Sequence, residues 1–145
     1  MTNIKILKDL TQTTYDSVEG YRNAAEKADS PTLKRALETR LGRRQQTLAK
    51  LNTALTNHNE QPINSTSVAG SGHQMYLKIA SAFENDNEAA AEHVEEGEDY
   101  LAGKFRDALK DDLKHNDPVR PIIEDAYNEI REGERMTDML EKQYS

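Results

Sequence analysis

The sequence contains no cysteine, no tryptophan and only four prolines in 145 residues. Without cysteine there is no disulfide framework, no thiolate chemistry and no zinc-finger site. No apolar run is long enough to span a membrane, and the start, "MTNIKILKDL", lacks the uninterrupted apolar stretch of a signal peptide. We therefore expect a cytoplasmic protein, and the length suits a single domain over residues 1–145 with a sizeable core.

The sequence also lacks the excess of basic residues that phosphate binding requires, since its net charge is −7. Residues 1–85 hold 11 basic and 8 acidic side chains, net +3, whereas residues 86–145 hold 8 basic and 18 acidic ones, net −10. Most of these charges are expected on solvated helix faces, although the asymmetry favours pairing of the two halves. We expect no nucleic-acid partner and no membrane partner.

Apolar residues recur at steps of three and four along most of the chain, which predicts four long helices. The predicted helices cover residues 4–28, 31–56, 86–113 and 118–144. Ser30 followed by Pro31 is a typical helix start, because serine caps the first turn and proline suits its first position. Asp117 and Pro118 provide the same signal for the last helix.

The stretch between the second and third predicted helices is long, polar and rich in Gly, Ser and Asn over residues 58–72. A short amphipathic helix follows, with Tyr76, Ile79, Ala80 and Phe83 on one side. The tight connections elsewhere predict two antiparallel hairpins, joined by a segment long enough to travel the length of a bundle. This pattern predicts an all-α, ferritin-like four-helix bundle whose long crossover carries a short extra helix. The alternative, a plain up-down bundle, leaves residues 58–84 unexplained.

Two charged residues lie on otherwise apolar stripes near the middle of their helices, Arg44 on the second and Glu98 on the third. Because buried charges are usually paired, we predict an internal Arg44–Glu98 ion pair as a structural polar core. Four glycines also lie mid-helix, where each costs about 1 kcal/mol relative to alanine. They indicate room for bulky polar side chains, a close helix crossing or a ligand, and are Gly20, Gly42, Gly97 and Gly133.

The spacing of metal ligands in ferritin-like di-iron proteins is incomplete in this chain. Those centres use a glutamate from each of two helices and a Glu-x-x-His pair from each of the other two. The sequence has no Glu-x-x-His; His93 is the one histidine inside a predicted long helix, and it precedes Glu96 in the reversed order. On the second predicted helix the expected ligand position is occupied by "RLGR", Arg40 to Arg43, with Arg44 next to it, and arginine cannot ligate a metal. A carboxylate-only site for iron or another divalent metal is the alternative, built from Glu19, Glu95, Glu98 and Glu129.

Enzyme chemistry has little support in the sequence. There is no recognisable Ser/His/Asp arrangement, and "GSG" at residues 70–72 lacks the lysine of a phosphate-binding loop. We predict no catalytic residue and treat enzymatic activity as the weaker of the two possibilities.

Four stretches together resemble an uncharacterised bacterial ferritin-like family, domain of unknown function 2383. They are "DSVEGYRNAAE" (16–26), "SVAGSGHQMYLKI" (67–79), "EEGEDYLAGKFRDAL" (95–109) and "YNEIRE" (127–132). The resemblance covers nearly the whole chain and implies a ferritin-like four-helix bundle, with no catalytic residues to carry over. Family members often have His-Asp where this chain has Tyr127 and Asn128, which weakens a metal role for the last helix. By analogy, the resemblance implies a role in stress or metal handling.

Two functional hypotheses follow from these observations. The first is a non-enzymatic, cofactor-free bundle with an internal Glu–Arg network in place of a di-iron centre, stress-associated or partner-binding, and forming a homo-oligomer through a helix face. The second is a degenerate metal-carboxylate protein that binds or oxidises iron at mid-bundle.

Overall fold

The computed structural model describes residues 3–65 and 87–144. These residues form four long helices: α1 (Ile4–Lys27), α2 (Pro31–Asn57), α3 (Asn87–Asp107) and α4 (Arg120–Tyr144). The prediction of an all-α four-helix bundle is confirmed. The predicted short helix around Tyr76 and Phe83 lies outside the described residues. Within the described ranges, no helix has the length and apolar character needed to cross a membrane.

The helix ends follow from capping side chains. The Ser30 hydroxyl accepts a hydrogen bond from the Leu33 amide at 3.3 Å, and Pro31 is the first residue of α2. The buried Asp117 carboxylate accepts from the amides of Val119, 3.0 Å, and of Asn3, 2.9 Å. Asp117 therefore holds the start of α1 beside the start of α4, so these two helices begin at the same end of the bundle.

The third helix differs from the single helix that the sequence predicts over residues 86–113. It is α-helical to Asp107 and continues as a π-helical turn, Ala108–Asp112. The Leu113 amide donates to the carbonyl of Ala108 at 2.9 Å, a bond that spans five residues and widens the last turn. Both residues are buried, so the wider turn keeps Leu113 in the core as the helix ends.

Ion pairs between the helices establish their directions. Arg43 of α2 lies 3.7 Å from Glu132 of α4, and Lys50, further along α2, lies 3.2 Å from Asp125, earlier in α4. Residue numbers therefore increase along α2 in the direction in which they decrease along α4, so the two helices are antiparallel. Since consecutive helices α1–α2 and α3–α4 form hairpins, α2 and α3 are parallel. The end of α2 and the start of α3 then lie at opposite ends of the bundle, as one long crossover requires and a plain up-down bundle does not.

The beginning of the crossover confirms its direction over residues 58–65. Asn59 has a positive φ of 63°, a conformation that asparagine tolerates, and the chain reverses there. The amide and carbonyl of Ile63 then bond the Asn52 side chain at 2.7 and 3.0 Å. The carbonyl of Ser65 accepts from Gln12 at 2.9 Å. The chain thus turns back along the α1–α2 hairpin directly after α2.

Buried apolar residues of the described chain form two separate clusters rather than one core. The first lies at the end of the bundle where α2 ends and includes Leu7, Leu10, Leu51, Leu55, Leu101, Phe105, Ile123 and Ile130. The second lies at the end where α3 begins and includes Tyr21, Ala24, Leu33, Leu37, Ala90, Val94 and Leu140. Most of the buried side chains between the two clusters, at mid-bundle, are polar, although Val18 is buried there as well.

Candidate functional site

The middle of the bundle is occupied by the guanidinium of Arg44, which has no solvent-exposed surface. Its Nη1 and Nη2 donate to Oε1 and Oε2 of Glu98 at 2.8 and 2.6 Å. Glu98 is 1% exposed. The two side chains therefore form a bidentate ion pair between α2 and α3, with two parallel charge-assisted hydrogen bonds.

Glu129 of α4 adds a second carboxylate to the same guanidinium. Its Oε1 accepts from Nε of Arg44 at 2.8 Å and from the Thr47 hydroxyl at 2.7 Å. Its Oε2 accepts from Arg40, whose Nη2 also donates to the main-chain carbonyl of Glu129 at 2.9 Å. Arg40 and Arg44 thus meet Glu98 and Glu129 in a layer of two positive and two negative charges, which we call the charged layer.

Helix α1 completes the environment of Arg44. The Ser17 hydroxyl accepts from Nη1, and the guanidinium carbon lies 5.5 Å from the centre of the Tyr21 ring. A guanidinium has five N–H donors. Glu98 takes two, Ser17 one and Glu129 two, the last through a longer 3.4 Å contact from Nη2 to Oε2. Every donor of Arg44 therefore has an acceptor, which is what burial of this charge requires.

The opposite charges of Arg44 and Glu129 each favour the ionised form of the other. Burial alone would lower the pKa of Arg44, but Glu98, Glu129 and Tyr21 together outweigh burial and raise that pKa well above its ordinary value. Burial would raise the pKa of Glu129, but Arg44, Thr47 and Arg40 together outweigh burial and hold that pKa below its ordinary 4.5. Burial, and then the negative charge of Glu98, raises the pKa of Tyr21. Arg44 and Glu129 therefore both stay charged near neutrality.

Gly133 of α4 makes the space that this arrangement needs. A Cβ atom at position 133 would overlap Oε2 of Glu98 and lie 2.9 Å from Nη2 of Arg44. The absence of a side chain therefore lets α4 approach the ion pair. The other mid-helix glycines differ: Gly20 and Gly97 are buried, but a Cβ on Gly42 would meet nothing within 4 Å. The interpretation of the four as one packing group is wrong for Gly42.

The four carboxylates predicted as metal candidates lie in three different places. Glu98 and Glu129 both bind Arg44. Glu19 is paired with Arg22 on α1. Glu95 faces α4 at a separate acidic cluster. The four are therefore not brought to one point, and a metal role for them stays a prediction.

The separate acidic cluster joins α3 to α4 at the protein surface. Carboxylate oxygens of Glu95, Asp99 and Asp138 lie within 4.8 Å of one another. A hydrogen bond to Asp99, burial and nearby negative charge raise the pKa of Glu95 from 4.5 to about 8. Burial, the Asp99 hydrogen bond and negative charge raise the pKa of Glu134 to about 7. Burial would raise the pKa of Asp99, but hydrogen bonds from Glu134 and Glu95 outweigh it and lower that pKa. The cluster therefore holds protons at pH values where isolated glutamates are ionised.

Several residues that contact the charged layer are not identified from the sequence. Ser17, Thr47 and Tyr21 are ordinary residues of an amphipathic helix until the position of Arg44 is known. A signal exists in the spacing: Arg40, Arg44 and Thr47 recur at i, i+4 and i+7, and therefore share one face of α2. Applied to α4, the same spacing places Glu129 and Gly133 on one face.

Replacing Gly133 by alanine is expected to lower the free energy of unfolding by about 2–5 kcal/mol, because the new methyl group displaces Glu98 from Arg44. The matched control is Gly42→Ala, the same change on α2 in open space, which should raise stability by about 1 kcal/mol. Denaturant titration of both variants, with the slope checked for constancy, measures the difference. Equal effects of the two substitutions would contradict the packing described for Gly133.

Stability is expected to fall as pH rises from about 5 to about 9, because Glu95 and Glu134 bind protons more tightly in the folded chain than in the unfolded one. Asp99 has the opposite shift, so its contribution is lost only in acid, as pH falls through its lowered pKa. The double variant Glu95→Gln/Glu134→Gln should flatten the fall between about pH 5 and 9, measured by denaturant midpoints. The exposed Glu92→Gln variant is the control and should keep the wild-type profile. If the double variant keeps the wild-type dependence of stability on pH, Glu95 and Glu134 do not hold protons in the folded cluster as described.

Comparison with known proteins identifies a family for this chain but no curated or structurally characterised relative. No curated protein and no solved structure is significantly similar to the chain. The family described as Domain of unknown function (DUF2383) matches residues 2–111, which include α1, α2 and α3. The match ends before α4, so the resemblance at 127–132 lies outside it, as do Glu129 and Gly133. Because the match covers well over half of the sequence, the chain belongs to the DUF2383 family.

Proposed function

We propose that this protein is a non-enzymatic helical bundle with a structural or partner-binding role, in which Arg44 takes the place that a metal ion has in ferritin-like proteins. The main support is that the Arg44 guanidinium forms ion pairs at mid-bundle with a carboxylate from α3 and a carboxylate from α4. In a di-iron bundle, carboxylates from facing helices converge on metal ions at this level. Here they converge on a permanent organic cation that belongs to the chain. A stress-associated role follows by analogy with ferritin-like proteins and is part of the proposal.

The use of the carboxylate oxygens supports a metal-free site. Both oxygens of Glu98 accept from Arg44, and both oxygens of Glu129 accept from arginine or threonine. A metal ion at this level would have to displace a guanidinium that cannot lose its proton. It would also leave a buried positive charge without its partner, and such a loss costs about 3–5 kcal/mol.

The alternative function, binding or oxidation of iron by a carboxylate set, has a less favourable geometry. Glu19 and Glu95 do not lie with Glu98 and Glu129, and each has its own neighbours. The acidic cluster at Glu95, Asp99 and Asp138 is the nearest approach to a ligand set among the described residues, and it lies at the surface. Iron content and the stability of a Glu98 variant together separate the two functions.

Elemental analysis of aerobically purified protein is expected to find no stoichiometric iron, and added ferrous iron should not be oxidised faster than in buffer. The Glu98→Ala variant should lose about 3–5 kcal/mol of unfolding free energy, because Arg44 stays buried without its bidentate partner. The control is Glu92→Ala, an exposed carboxylate on the same helix, which should change stability by less than about 0.5 kcal/mol. Tightly bound iron in the purified protein that is lost in Glu98→Ala would overturn the proposal in favour of the metal function.

A further inference from the structure

The seam between α2 and α4 is open to solvent as a groove. Its wider part has a volume of about 470 Å³ and is lined mainly by apolar atoms, among them those of Ala49, Thr53 and Ile122. A smaller polar part of about 200 Å³ continues it toward Arg43 and Glu132. Lys50 and Asp125 line both parts, so the two form one continuous groove along the helices.

Two ion pairs connect α2 to α4 across this groove. Lys50 and Asp125 are 3.2 Å apart, and Arg43 and Glu132 are 3.7 Å apart. Both basic residues belong to α2 and both acidic residues to α4, and each pair of like charges is seven residues apart. All four side chains are more than half exposed. Exposed pairs of this kind contribute little within one chain, so exchanging their partners costs little.

The arrangement of these charges is complementary to itself. Because each basic residue lies level with an acidic one, a two-fold axis parallel to the helices and running along the groove places α2 of one copy over α4 of the other. Arg43 then faces Glu132 of the second copy, and Lys50 faces its Asp125, at matching heights. An axis perpendicular to the helices would instead place α2 over α2 and bring like charges together, which is unfavourable. The charge pattern therefore selects both the partner and its orientation.

We propose that the α2–α4 groove is a docking surface for a second copy of this chain, related by a two-fold axis that runs along the groove. The contact is isologous, since the same surface serves both copies. Its centre is the apolar lining at Ala49, Thr53 and Ile122, and its edges are the Arg43–Glu132 and Lys50–Asp125 charges. The groove borders the charged layer, since Glu129 and Thr47 line its polar part, but the Arg44–Glu98 ion pair does not line it. The docking surface therefore goes beyond the metal-free bundle.

The first test uses two charge-reversal variants. Arg43→Glu/Lys50→Glu makes all four of these edge charges acidic, and Glu132→Lys/Asp125→Lys makes all four basic. Sedimentation velocity should find a dimer for the wild type, a dissociation constant raised about tenfold or more for each variant alone, and a restored dimer when the variants are mixed. Circular dichroism checks that each variant keeps its helices. A monomeric wild type at about 100 µM, or a mixture that stays monomeric, would overturn the proposal.

The second test determines the orientation and exploits the absence of cysteine from the sequence. Gln46 and Asn128 line opposite sides of the polar part of the groove. Oxidation of a mixture of the Gln46→Cys and Asn128→Cys variants should give mainly the mixed disulfide, since α2 of one copy lies over α4 of the other. A predominance of disulfide-linked homodimers of the Gln46→Cys variant would show the perpendicular axis and refute this docking mode. Because neither substitution touches Arg44 or Glu98, iron content measured on the same samples tests the proposed function independently.

Discussion

The positive charge of Arg44 has to be balanced inside the protein, because a guanidinium stays protonated and this one has no contact with solvent. A single counter-ion would leave N–H donors unsatisfied, so acceptors arrive from α1, α3 and α4 at once. The level of each helix in the bundle is therefore tied to one side chain of α2. Sliding a helix by one turn would leave a buried charge without a partner, which is far more costly than the loss of an apolar contact.

The division of the apolar core into two clusters is a direct result of this layer. Leucine, isoleucine and phenylalanine fill the end near Leu55 and Phe105, and leucine and small residues fill the end near Leu33 and Val94. Replacing a buried ion network by apolar residues is often neutral or stabilising in other proteins, so the layer is weak evidence for extra stability. Its clearer effect is to distinguish one register from the others, because apolar packing alone tolerates rearrangement.

The sequence predicts the fold well because its information is local and periodic. Ser30 and Pro31 mark the start of α2 directly, and the long segment after Asn57 implies a crossover. The level of Arg44 and Glu98 follows from counting residues along regular helices. The apolar stripe of the third helix places Glu98 toward the core, where it is buried. Counting residues does not show that Glu95, three residues earlier, faces Asp138 of α4 at the surface. The mid-helix position of Gly133 indicates a packing role, but the atoms it makes room for belong to α2 and α3 and cannot be identified from the sequence around it. The π-helical turn after Asp107 likewise has no periodic signature.

The charged layer also bears on how the chain assembles. Both of its arginines belong to the α1–α2 hairpin and both of its glutamates to the α3–α4 hairpin. Each hairpin on its own therefore presents two like charges on the face that must become buried. Removing water from either face alone has a large desolvation free energy. Only when the two hairpins meet are the charges neutralised, so a half-formed bundle gains little by collapsing on itself. The distribution of charge along the chain thus favours folding as a single cooperative event in which each hairpin acts as the counter-ion of the other.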